Sequence, residues 1–328
     1  MITERDLENA QTVFRRLTAS IEEVIVGHGE IIRAALIALL CRGNLILEGV
    51  PGLGKTLLVR ALAASLGLKF SRIQFTPDLM PADIVGTDLI TEEAGHRQFT
   101  FSRGPVFANV VLADEVNRAT PKTQSALLEA MEERTVTVGT HTYELEEPYI
   151  VLATQNPIEM EGTYPLPEAQ IDRFLFKANV RFPSLEELVA ITERNTEGEG
   201  IRLPNPTATA EDILTARGVV REIPVGEGLR EYVARLLLAT HPGSEHAPPR
   251  IVEYVEYGAS PRAALALING AKAQAFLEGA ANVRREDIEA LFRAALTHRL
   301  VLNFKGEAEG VTVDELLEDV WNHVPPTS

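Results

Sequence analysis

Residues 44–56, Asn44-Leu45-Ile46-Leu47-Glu48 running into Gly49-Val50-Pro51-Gly52-Leu53-Gly54-Lys55-Thr56, form a short apolar stretch followed by a glycine-rich turn. Thr56 to Leu66 then carries helical periodicity, and Gly67 supplies a stop. The turn matches G-x-x-x-x-G-K-[ST], with the strand before it and the helix after it that the pattern requires. Glycines let the backbone wrap closely enough for amide N–H groups to point at phosphate oxygens. The start of the helix adds the positive end of its dipole. Gly49, Val50, Pro51, Gly52, Leu53, Gly54, Lys55, Thr56 and Leu57 are therefore the candidate phosphate-binding stretch. Lys55 is expected to reach the outer phosphates, and the Thr56 hydroxyl to ligate Mg²⁺.

Outward from this turn, Lys69–Gln74, Val110–Ala113, Tyr149–Ala153 and Phe176–Val180 look like further short strands, with helical stretches between them, notably Thr120–Glu133. Strands alternating with helices predict a parallel sheet covered on both faces. Two segments interrupt the rhythm. Asp88–Arg103 and Thr135–Glu146 have strand-like arms around Glu92–Gly95 and Gly139, and both are expected to be inserted hairpins. Arg5–Val26 is an amphipathic entry helix, and Ile31–Leu40 a buried one. After Pro183 the character changes: Leu185–Arg194 starts a helix, Gly198–Pro206 is expected to be a loop, and from there to Asn303 the pattern is helical, with no strand expected. The predicted fold is α/β: a P-loop core with a parallel five-stranded sheet and inserted hairpins over residues 1–182, then an all-α C-terminal lid domain over 183–328.

Val110-Val111-Leu112-Ala113-Asp114-Glu115 ends a buried strand in two carboxylates, about 60 residues after the glycine-rich turn. Asp114 at the strand tip is placed to hold Mg²⁺ through water, and Glu115 to orient and polarise an attacking water. Asn156, after the next strand, faces the same sheet edge, because ligands of parallel sheets sit at the carboxyl ends of the strands. Its amide is a candidate for holding the γ-phosphate or the water. No Asn-Lys-x-Asp base reader of a GTPase is present. An Asp-Glu pair after the third strand, followed by a helical lid, points to the AAA+ class of ATPases, with ATP and Mg²⁺ as substrate and cofactor.

Composition sets the remaining bounds. A chain of 328 residues is longer than one core usually serves. Cys41 is the one cysteine, so no internal disulfide is possible; it sits in an apolar run, where burial is expected, and fits a cytoplasmic location. Met1–Ala10 lacks the basic start and apolar run of a signal peptide, and no apolar stretch is long enough for a membrane span. The net charge of −16, without a run of Lys or Arg, argues against a nucleic-acid partner. The seven histidines share no metal-ligand spacing. Glu144, Glu146 and Glu147 look like a solvated face, and Trp321 like a packing anchor.

RIQFTPDLMPADIVG (72–86), LADEVNRATPKTQSALLEAMEER (112–134), ATQNPIEMEGTYPLPEAQIDRF (153–174) and YGASPRA (257–263) together resemble the MoxR family of AAA+ ATPases, from about Val24 to about Asn303. The resemblance implies that Asn156 is sensor 1, that Arg173 is an arginine finger reaching a neighbouring subunit's nucleotide, and that Arg262 is sensor 2, closing on ATP from the lid. It implies that Val26 and Gly27 pack on adenine and that the two hairpins are the insertions of this clade. Arg118 and Arg134 are rivals for the finger, and sequence does not rank them. The family further implies a homo-oligomeric ring, a hexamer, and chaperone-like work on partner proteins carrying a von Willebrand factor A domain. Two other readings stand beside it: the motor subunit of a metal chelatase and a nucleic-acid motor. The hairpins weigh against the second, because they carry glutamates and histidines where phosphate contacts would need Lys or Arg.

Overall fold

A computed structural model describes residues 4–93, 96–157, 163–196 and 202–326. The tip of the first expected hairpin at 94–95, residues 158–162 of the quoted motifs, residues 198–201 of the expected loop and the last two tail residues lie outside these.

Five strands form one parallel sheet in the order Phe70–Gln74, Val110–Asp114, Ile150–Gln155, Leu45–Glu48, Phe176–Asn179. Leu152 stands opposite Leu45 on one side and Leu112 on the other. Leu45 to Leu47, Val110 to Ala113 and Ile150 to Ala153 are completely buried. That is why these strands are unbroken apolar runs and not alternating ones: both faces of a parallel sheet are covered. The Phe70–Gln74 strand lies at the sheet's edge, and of its five residues only Ile73 is buried. Its polar residues Arg72 and Gln74, two apart, share one face.

Both hairpins are present. Gly86–Glu93 pairs antiparallel with His96–Arg103, and Thr135–Val138 with His141–Glu144. The first closes on two glycines: a Cβ on Gly86 would overlap the Ser102 carbonyl, and one on Gly104 the Ile84 carbonyl. The hairpins are joined by aromatic rings, with Phe101 stacked on Tyr143 at 4.3 Å and Phe107 set edge-on to Phe101.

The chain divides into two compact units, each discontinuous in sequence: Val13–Leu166 with Ala178–Leu214, and the residues up to Thr12 with Pro167–Lys177 and Thr215 onward. The boundary expected near Pro183 falls inside the 178–214 segment of the first unit. In the second unit the helices Glu227–Leu238, Pro261–Leu277, Arg285–Leu296 and Val313–His323 supply most of the core. Trp321 packs against Phe292 and Tyr232 beneath the Arg285 guanidinium, so it is an anchor. One expectation is corrected. This unit is not purely helical, because Val255–Tyr257 pairs antiparallel with Val301–Leu302. Runs of two and three residues are too short to display a period of two, so the sequence carries no strand signal there.

Cys41 is half-buried at the end of the Gly29–Leu40 helix, so it stands at the rim of the core. Glu144 and Glu146 are exposed, as a solvated face requires, with Glu146 3.5 Å from an equally exposed Lys69; Glu147 departs from it, half-buried and paired with Arg42 at 2.6 Å. Among the described residues no helix is long and apolar enough to cross a membrane.

His298 gives the second unit a pH dependence. Its Nε2 donates to the Phe174 carbonyl at 3.1 Å, and burial, reinforced by Arg299, pushes the imidazole down to about 3 from 6.5. As pH falls the unfolded chain therefore takes up this proton first. The contribution to stability is complete above the unfolded value and is lost toward the folded one. At about 1.4 kcal/mol per unit, going from pH 6.5 to 5 should remove about 2 kcal/mol through this residue. Urea unfolding of wild type and His298→Gln at both pH values checks this. The variant should show the shallower loss, and equal losses would clear His298 of the effect.

Candidate functional site

The glycine-rich turn leaves the Leu45–Glu48 strand and enters the Lys55–Ser65 helix through Gly54. Gly52 and Gly54 have φ of 85° and 76°, a region that disfavours side chains, and the space beside each is open. Gly49 has a different reason to be glycine: a Cβ there would lie 2.9 Å from Val180 Cβ. Lys55 Nζ curls back onto the Gly49 carbonyl at 2.5 Å. Burial lowers its pKa, while Asp114 and Glu115 act in the opposite direction. Thr56 is half-buried at the second position of the helix, followed by Leu57. An open nest of amides, a helix start and a half-buried ammonium fit a polyphosphate.

Val26 and Gly27 directly precede His28, which bonds to this turn. Gly27 has φ of 71°, and a Cβ on it would come within 2.7 Å of Glu187 Oε1. Arg181 holds that carboxylate by two hydrogen bonds of 2.8 and 2.5 Å. His28, also left-handed, donates from Nε2 to the Leu53 carbonyl at 3.2 Å and so ties the linker to the phosphate turn.

The two acids sit at the carboxyl end of the Val110–Asp114 strand with separate partners. Asp114 Oδ2 accepts from Arg72 at 2.6 and 3.0 Å, and Oδ1 from the Thr154 hydroxyl at 2.6 Å. Glu115 Oε2 accepts from Gln74 at 2.9 Å and Arg118 at 2.8 Å. Glu115 is a non-glycine residue with φ of 57°, a conformation that costs about 1 kcal/mol or more. Its N–H donates to Thr154 Oγ1 at 2.8 Å, which holds the turn in place. The tight turn re-aims the chain after Asp114 and presents two neighbouring carboxylates to different donors. Asn156 is buried two residues beyond Thr154, at the end of the adjacent strand.

The remaining two candidates belong to the second unit. Arg262 occupies the first turn of Pro261–Leu277, whose N-cap Ser260 accepts from the Arg262 N–H at 3.2 Å, with Pro261 at the first helical position. This is the helix start that Ser-Pro-Arg predicts. Arg262 Nη1 donates to Asp172 at 3.4 Å. Arg173 is exposed, immediately after Asp172. The rivals are engaged within the first unit. Arg118 pairs with Glu115, and Arg134 donates to the carbonyls of Tyr149 and Arg42 with its guanidinium 4.9 Å over the Tyr149 ring. Arg134 thus has a structural task, while Arg118 stands at the acids themselves.

Sequence reasoning missed Arg72, Gln74, Thr154, His28 and Arg299. Arg72 and Gln74 carried a partial signal, since polar residues two apart on one expected strand share a face; that this face adjoins Asp114, with Gln74 in register with it, follows from the sheet order. Arg299, at the end of a helical run, carried no signal.

A P-loop beside strand-borne Asp and Glu, on a five-stranded parallel sheet, defines an ATPase of the AAA class. The model for the ATPase family associated with various cellular activities (AAA) matches residues 44–176, and the AAA lid domain model matches 249–320. The chain is 41% identical to Chaperone MoxR1 of Mycobacterium tuberculosis, covering 94% of this chain and 81% of that protein. It is 33% identical to Protein MoxR of Paracoccus denitrificans, covering 88% and 89%. A crystal structure from Cytophaga hutchinsonii, assigned as an ATPase, superposes with a TM-score of 0.92 at 39% identity, covering 99% of this chain and 98% of that one. The chain belongs to the MoxR family of AAA+ ATPases.

Proposed function

We propose that this ATPase binds ATP with Mg²⁺ on the Gly49–Leu57 stretch and works in the cytoplasm as a homo-oligomeric ring, a hexamer. There it would use hydrolysis to remodel or activate partner proteins, with von Willebrand factor A domain proteins as clients. The separate anchoring of the two acids carries the reading. Asp114, fixed by Arg72 and Thr154 at the strand tip, would hold the metal through water, and Glu115, one residue on and turned to separate donors Gln74 and Arg118, would take a proton from the attacking water once Arg118 yields. Thr56 and Asp114 would hold Mg²⁺, which when bound neutralises phosphate charge. Lys55 would bind the outer phosphates in place of the Gly49 carbonyl. Asn156 would orient the attacking water, and Arg262 and Arg173 would stabilise charge developing on the transferred group. Val26 and Gly27 would pack on adenine.

Protein clients are favoured over nucleic acid by the first hairpin. Ile90 and Phe99 stand directly opposite each other and are 65% and 78% exposed. An exposed apolar pair has nothing to offer a phosphate backbone and much to offer a polypeptide. The name Chaperone MoxR1, borne by a relative, points the same way.

The test is capture. Glu115→Gln should hold ATP without turning it over. Purified from cells with ATP present and analysed by mass spectrometry, it should retain a protein with a metal-ion-dependent adhesion site. Recovery of nucleic acid alone would overturn the client reading and promote the motor.

A further inference from the structure

Within the second unit one carboxylate gathers four donor contacts. Asp172 accepts from Arg299 Nε at 2.8 Å, from the Ser260 hydroxyl at 3.0 and 2.9 Å on its two oxygens, and from Arg262 Nη1 at 3.4 Å. Arg299 is the hub. Its side chain is 2% exposed, and its other N–H groups donate to the carbonyls of Asp172 at 3.1 Å, Phe174 at 2.6 Å, Leu175 at 3.1 Å and Ala295. His298 adds a bond to the Phe174 carbonyl. A buried guanidinium is costly to desolvate and is retained only where its donors are matched. Here they are spent on the backbone of 172–175, a four-residue stretch with no helix or strand of its own until Phe176. That stretch carries Arg173.

We infer that Asp172 and Arg299 are positioning residues for Arg173, clamping its backbone to the helix start that carries Arg262, so that the two phosphate-directed arginines are set by one shared anchor. This rests on the roles proposed above for Arg173 and Arg262. The contacts differ in strength. Arg299 and Ser260 approach Asp172 closely from buried or half-buried positions, whereas Arg262 is half-exposed and is the longest contact. Arg262 is therefore the donor that can leave for a phosphate while the other two keep the segment in place. Charge-assisted bonds of this kind fix geometry as well as contributing energy. A finger displaced by an ångström loses most of its effect on rate without altering the affinity of the nucleotide it acts on.

Asp172→Asn keeps the shape and removes the charge that Arg299 and Arg262 share. ATPase rates of Asp172→Asn, Arg173→Ala and the double variant should be measured, with binding of a fluorescent ATP analogue read in the Glu115→Gln background. The expected result is a kcat about tenfold or more below wild type for Asp172→Asn, analogue binding no weaker than in the parent, and a double variant slowed by clearly less than the product of the two single losses. Wild-type kcat in Asp172→Asn alongside a dead Arg173→Ala would overturn the inference and leave the finger standing. So would losses that multiply in the double variant, since independent effects do not share an anchor. An active Arg173→Ala would instead sink the finger assignment beneath it. Ser260→Ala, which trims one donor at the surface of the cluster, should show the same split of kcat from binding in milder form. Its failure to do so would count against the clamp even if Asp172→Asn folded poorly.

Discussion

Glu115→Gln is expected to slow ATP turnover by about a hundredfold or more while nucleotide binding stays within a few-fold of wild type. The substitution keeps the length and the planar end of the side chain. What it loses is the capacity to accept a proton from water as the bond to phosphorus forms. The fold around it should not notice. The left-handed backbone at this position is held by the N–H bond to Thr154, which the side chain does not make. The amide oxygen of glutamine can still accept from Gln74 and Arg118, although the pairing with Arg118 weakens once the charge is gone. Lys55 and the glycine turn are untouched, so the donors proposed for the phosphates stay in place. Steady-state phosphate release with a parallel titration of a fluorescent ATP analogue separates the two quantities. A variant that still turns over would move the base elsewhere. A variant that neither binds nor turns over would mean that Glu115 shapes the site and performs no chemistry in it.

The contrast between Glu115 and its surroundings shows what a sequence exposes and what it hides. The glycine turn, the apolar strand and the acid pair are contiguous, and each has a spacing set by backbone geometry alone. The core sheet was equally legible, because strands buried on both faces are written as unbroken Val, Ile, Leu and Ala runs. Lys55, Asp114 and Glu115 could be named for that reason. Their partners could not be named in the same way. Arg72, Gln74 and Thr154 reach the acids across neighbouring strands, and which strand neighbours which is a matter of sheet order. Arg299 lies 127 residues from Asp172, and nothing in its own neighbourhood distinguishes it from a surface arginine at a helix end. The short ribbon of Val255–Tyr257 with Val301–Leu302 was missed because strands of three and two residues, separated by two helices, leave no local period to read.

Arg173→Ala should lower kcat about a thousandfold, some 4 kcal/mol of transition-state stabilisation, with ATP binding preserved. The expectation follows from where the side chain is and what it can do. Arg173 is exposed, on a segment whose backbone is pinned from beneath by Arg299. A guanidinium offers a rigid fork of donors matched to phosphate oxygens, so it acts most strongly where negative charge builds up during the reaction. If it is supplied to a neighbouring subunit, each catalytic site is built from two chains. A simple mixture then decides the matter. Glu115→Gln subunits keep Arg173, and Arg173→Ala subunits keep Glu115. Each is inactive alone, but a junction that joins an intact Glu115 to an intact Arg173 is complete. In an equimolar mixture assembled at random into closed rings, roughly a quarter of the sites are of this kind. Activity should therefore return to roughly that fraction of wild type. A mixture as inactive as its components would show that Arg173 serves its own subunit, and Arg118, which stands beside Glu115 at 2.8 Å, would become the first arginine to test in its place.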